Sequence, residues 1–232
     1  MGVLARFGRF WRRVAVPLSV AVLSIPAGCA YRGGDIGNPV ARKLEWRSYI
    51  GGDDIRATCA AGTPDRYRLV YNGVYERQLR MYDLDSARHL LIARVRGPAD
   101  VDQVSLGDLL KPWRAKAARV QLDPAQYRTL VAAFTTSGMF GPPPVGLDLP
   151  SRSFFWTAAY CRHGHFGFTA WKYPSAAFTA LTFVKPLLAL DPTGVPLARA
   201  HVLRYDSQWE MEAAKGNVVS FLLTVGQHGL VQ

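Results

Sequence analysis

The chain lacks the short motifs that mark the commonest catalytic sites. No G-x-S-x-G elbow, H-E-x-x-H pair, phosphate-binding glycine loop or dinucleotide fingerprint occurs in its 232 residues. Triads can be assembled from distant positions, so this leaves an enzyme of unrecognised type, such as a hydrolase, open. Internal repeats and low-complexity tracts are also missing, which argues for one compact body. Blocks of like charge are missing too. The 28 Lys and Arg outnumber the 17 Asp and Glu, for a net charge of +11, yet they are scattered among apolar and acidic neighbours. Nucleic acid is therefore not expected as a partner, whereas contact with an anionic surface is physically reasonable. Cysteine is scarce, with three in all, and no acid stands among the first thirteen residues.

Apolar residues make up 49% of the chain and aromatics 12%, enough to bury one good core and to exclude disorder of the whole. The opening is different in kind. Arg6, Arg9, Arg12 and Arg13 precede the apolar run "AVPLSVAVLSIPAG". That run is too short for a permanent membrane span, which needs about twenty apolar residues, and Pro17 and Pro26 weaken it further. Basic start and short apolar run together read as an export signal.

The signal ends in "PAGC", where Ala27 and Gly28 leave little bulk before the thiol of Cys29. This resembles the lipobox of bacterial lipoproteins, although Pro26 stands where that family usually carries an aliphatic residue. The resemblance covers about the first thirty residues. It implies that residues 1–28 are a signal peptide and that Cys29 is acylated and becomes the new N-terminus. It also implies a cell-envelope address facing the periplasm. Ala30 and Tyr31 follow the cysteine, so the Asp that retains enteric lipoproteins at the inner membrane is absent, and the outer membrane is favoured. An ordinary secretory cut after Ala30 and a retained signal anchor are the competing readings. The expected partners are the lipid bilayer, reached through Cys29, and an envelope protein. The rest of the chain resembles uncharacterised proteobacterial lipoproteins, which carries no mechanism.

With Cys29 acylated, Cys59 and Cys161 remain as an even pair in an oxidising compartment, and a disulfide between them is expected. Residues 30–43, "AYRGGDIGNPVARK", are rich in Gly and charge and read as a flexible tether, leaving 44–232 as the folded periplasmic domain.

Within that domain, "DRYRLVYNGVYERQLRMYDL" reads as a hairpin. A loop of Tyr71, Asn72 and Gly73 would pair Arg68 with Glu76 and Leu69 with Tyr75. Tyr67, Leu69, Tyr75, Leu79 and Met81 would then face the core, and Arg66, Arg68, Glu76, Gln78 and Arg80 would face water. A strand at 89–97 follows. "LDPAQYRTLVAAFTTSG" is a helix capped by Asp123 and ended by Gly138, with Tyr127, Leu130, Val131 and Phe134 on its core stripe. "PSRSFFWTAAYCRHGHFGFTAWKYP" is a second hairpin turning at His163 and Gly164, with Trp156 opposite Trp171 and Tyr160 opposite Gly167. A helix from about 176, interrupted by Pro186, a short helix at 210–214 and a strand at 218–225 complete the pattern. The fold class expected is α+β: an antiparallel sheet of hairpins packed with two or three helices in a single domain.

Two clusters invite chemistry. Cys161, His163 and His165 could share a face as metal ligands only if the strand ran straight through the turn, so neither a metal nor any other cofactor is expected. Asp53 and Asp54 in "GGDDIR" lack the alternating oxygen ligands of a calcium loop and read as exposed carboxylates of a turn. The Trp156, Tyr160 and Trp171 surface would be a ligand or glycan platform if left uncovered, and plain core if a helix packs on it.

Overall fold

In the computed structural model, which describes Gly2, residues 30–98, Gly107 and residues 109–231, the chain forms a single α+β domain. Its centre is a six-stranded antiparallel sheet in the order β4-β3-β2-β1-β6-β7. The strands are β1 (Arg66–Gly73), β2 (Leu79–Asp85), β3 (Leu90–Arg96), β4 (Lys116–Gln121), β6 (Phe154–Arg162) and β7 (His165–Lys172). Two hairpin systems are fused where β1 pairs with β6, Tyr67 facing Tyr160 and Tyr71 facing Trp156. Strands β5 (Asp148–Pro150), β8 (Leu222–Gly226) and β9 (Gly229–Leu230) form a separate small sheet.

Both faces of the large sheet are covered, so its central strands are buried along nearly their whole length. On one face Tyr67, Leu69, Tyr82, Trp156 and Trp171 pack under α3 (Pro124–Thr136) and α5 (Val184–Ala189) through Leu130, Phe134, Phe183 and Leu187. On the other, Val70, Met81, Phe155 and Phe168 pack under α1 (Pro39–Gly51) and the small sheet through Trp46, Tyr49, Leu149 and Val225. The short helix α2 (Asp53–Thr58) follows α1 after Gly52, whose φ of 72° makes the corner and whose hydrogen sits against Ala159. Two more short helices, α4 (Ala176–Thr179) and α6 (Ser207–Ala214), bring the helices among the described residues to six, against the two or three expected.

The second hairpin has the expected register throughout: Trp156 faces Trp171, Tyr160 faces Gly167, and Cys161 faces Phe166. Its turn places His163 at φ 51° and Gly164 at φ 77°, the paired left-handed residues of a two-residue hairpin loop. Helix α3 has the expected cap, with Asp123 accepting from the amides of Ala125 and Gln126 while Gln126 answers to the Asp123 amide. Pro186 lies inside α5, and the interruption falls earlier, between Ala180 and Phe183.

The first hairpin is corrected. Its loop is Val74–Gln78, closed by the Gly73 amide to Gln78 O at 2.9 Å, and Arg68 faces Asp83 instead of Glu76. The expected register assumed one wet face, but both faces are dry. Arg68 and Arg80 are 2% and 1% exposed, so each needs a buried carboxylate, and the observed register supplies one for Arg68.

Residues 31–43 are corrected as well. Tyr31 and Ile36 are buried, and α1 starts at Pro39 with Asn38 as its cap. The Tyr31 amide donates to Ser48 Oγ at 2.9 Å and its ring meets Tyr49 edge-on, so the packed body includes residues as early as Tyr31.

Candidate functional site

Cys29 and residues 1–28, expected from sequence to be a signal peptide, lie outside the described residues, Gly2 excepted. The other two cysteines are joined: Cys59, just after α2, and Cys161, near the end of β6, have Cα atoms 5.5 Å apart and form a disulfide. The bridge ties the α1–α2 layer to the sheet and spans 102 residues of chain.

The aromatic ribbon is core. Trp156 is 1% exposed and Trp171 is 6% exposed. Phe183, at the start of α5, packs against both rings, 5.2 Å from Trp156 and 5.5 Å from Trp171, while Tyr71 closes on Trp156 at 4.8 Å. These rings therefore offer no platform. Tyr160 alone of the three keeps an open edge, where it borders a cleft of about 380 Å³ with Arg56, Phe166 and His228.

The histidines are dispersed. His163 and His165 are exposed at the β6–β7 turn, His89 stacks on Tyr127, and His201 sits against Phe154. No group of three metal-ligating side chains occurs among the described residues.

The densest polar chemistry was not foreseen. Arg68, in the middle of β1, donates from Nε to Asp83 at 2.7 Å, from its two terminal nitrogens to Asp54 at 2.7 and 3.0 Å, and to Tyr49 O at 3.0 Å. The Tyr49 ring lies 3.9 Å from the guanidinium. Arg94 shares Asp83 at 2.9 Å, and Tyr49 donates its hydroxyl to the same carboxylate. Burial alone would raise the Asp83 carboxyl, but Arg68 and Arg94 outweigh it and hold it below its usual range. Burial, and then the Asp83 charge, push the Tyr49 phenol well above its ordinary value. Four of the five guanidinium donors of Arg68 are committed, so the group is a brace between α1, α2 and the sheet and not a vacant anion site. Asp54 is thus corrected from an exposed turn carboxylate to a partner of buried Arg68, and Asp53 accepts from Ser48 Oγ at 2.6 Å.

A second brace stands on the opposite face. Arg80 pairs with Asp191 at 2.8 Å, Tyr82 donates to the same carboxylate at 2.6 Å, and Gln78 bonds both Pro196 O and the Ala198 amide. The side chains expected to face water instead fasten residues 191–198, which have no helix or strand, to the sheet.

Beside the first brace, between α2, the disulfide and the β1–β3 strands, lies a cavity of about 510 Å³. Ile55, Leu90 and Ile92 give it apolar walls, and Arg66, Asp85 and Arg88 give it charge. Its size suits a small molecule.

In comparison with known proteins the chain matches no family model, no curated protein and no solved structure.

Proposed function

We propose that the protein is a bacterial lipoprotein of the cell envelope, held to the membrane through acylated Cys29, with its folded body facing the periplasm and acting as a binding or assembly component. The observation that carries this reading is the arrangement at the start of the chain: four arginines, a short apolar run, then Ala27 and Gly28 immediately before Cys29. The Cys59–Cys161 bridge supports it independently, because structural disulfides persist in oxidising compartments such as the periplasm. Two acyl chains on one cysteine are enough for stable anchoring, since each buried methylene contributes about 0.8 kcal/mol. No described helix is long and apolar enough to cross a membrane. The absence of an Asp after Cys29 favours the outer membrane.

Metabolic labelling with a clickable fatty acid tests this. Incorporation into the wild type and its loss in Cys29→Ser supports the anchor, and an unlabelled wild type in a host with the processing enzymes refutes it.

A second reading is a small-ligand module. The buried Trp pair removes its original basis, and the cavity beside the disulfide is the observation that favours it now. Thermal stabilisation by envelope extract that disappears in Ile92→Arg, with the variant still folded, supports this reading. Equal stabilisation of both proteins overturns it.

A further inference from the structure

Helix α1 has an outer face that nothing in the described fold covers. Arg42, Trp46, Tyr49 and Ile50 point into the protein, while Val40, Lys43, Leu44 and Arg47 are all exposed. The spacing i, i+3, i+4, i+7 puts these four on one stripe, two apolar and two basic, with no acid among them. Val40 and Leu44 are 54% and 57% exposed. Arg47 also reaches the carbonyl of Val231, and so brings a third exposed aliphatic residue to the end of the stripe. Glu45 lies on the flank, half-buried.

The place of Tyr31, two residues after Cys29, bears on what this face meets. The Tyr31 amide is bonded to Ser48 Oγ, one residue beyond Arg47 and one turn beyond Leu44. Two residues of chain reach at most about 7 Å, so Cys29 stays within that distance of Tyr31. The stripe from Val40 to Ser48 is about 12 Å long at a rise of about 1.5 Å per residue. An acyl group on Cys29 therefore brings lipid headgroups within about one helix length of every residue on the stripe.

We infer that the outer face of α1 lies on the bilayer, with Val40 and Leu44 entering the headgroup boundary and Lys43 and Arg47 pairing with anionic lipid phosphates. The inference rests on the proposed acylation of Cys29. Its occupant is lipid, and not a second copy or a soluble partner, because the stripe lies close to the proposed attachment point and joins aliphatic side chains to basic ones that an anionic headgroup layer attracts.

The test uses the full acylated chain, reconstituted in phosphatidylethanolamine and phosphatidylglycerol vesicles, with a bimane fluorophore on Leu44→Cys or, as control, on Ala132→Cys. Ala132 is exposed on α3, across the sheet from α1. Lys43→Cys replaces Leu44→Cys if the latter does not fold, and intact mass reports acylation of each sample. Quenching by spin-labelled lipid at least about twofold stronger at position 44 than at 132 supports the inference. Equal quenching with Cys29 acylated overturns it and leaves the anchor standing. Protection of position 44 from a water-soluble thiol reagent without lipid quenching assigns the face to protein, and overturns it as well. Protein made in a host with the processing enzymes whose intact mass shows no acyl chains on Cys29 overturns both anchor and face.

Discussion

Arg68 on β1 and Asp83 on β2 are direct cross-strand neighbours, joined Nε to Oδ1 at 2.7 Å with the arginine 2% exposed. Arg68 is also held by Asp54 and Tyr49, so one pair fixes the register of the central hairpin and seats α1 and α2 on it. Removing one member of a buried pair strands the other without a partner. Asp83→Ala and Arg68→Ala are each expected to lower stability by about 3–5 kcal/mol, read from urea midpoints. A loss under about 1 kcal/mol would show that the brace is dispensable.

The same pair sets an acid dependence. Asp83 ionises more readily folded than unfolded because Arg68 and Arg94 overcome the cost of its burial. Its contribution is therefore complete above the unfolded carboxylate value of about 3.9 and is lost as pH falls toward the lower folded value. Urea midpoints should drop between about pH 5 and pH 2, and the drop should be shallower in Asp83→Asn. An unchanged slope would remove Asp83 from the account.

The disulfide closes a long loop and should matter accordingly. Reduction, or Cys59→Ser with Cys161→Ser, is expected to cost up to about 4.7 kcal/mol by loop entropy. Guanidinium denaturation with and without reductant measures it, and peptide mapping under non-reducing conditions checks the pairing. Alkylation of both thiols in exported protein would contradict the bridge.

Trp171 lies under Phe183 in the core, so Trp171→Ala should act through packing. A loss of about 3–5 kcal/mol in thermal or chemical unfolding is expected. Unchanged stability with altered ligand binding would restore the platform.

The residues show why parts of this fold can be read from sequence and others cannot. The β6–β7 register is local: a His-Gly turn and the pairs Trp156–Trp171 and Tyr160–Gly167 specify it within nineteen residues. Helix α3 likewise carries its own start and stop in Asp123 and Gly138. The β1–β2 hairpin is different, because its charges are buried by elements outside the hairpin, α2 a short way upstream for Arg68 and residues 191–198, more than a hundred residues on, for Arg80. Alternation then suggests a wet face that does not exist. The start of α1 is an intermediate case. The Asn38–Pro39 cap and the core stripe of Trp46, Tyr49 and Ile50 are legible, but the flanking glycines suggest a tether. The site is the least legible part, since Cys29 is read from a short local motif and the cavity beside Cys161 exists only once α2 and three strands have met.

Membrane attachment through Cys29 is the central claim, and intact-mass spectrometry of the protein extracted from native membranes tests it most directly. The account predicts a chain that begins at Cys29 and carries the mass of a diacylglyceryl group. A chain that retains Met1, with a free thiol at Cys29, would contradict it.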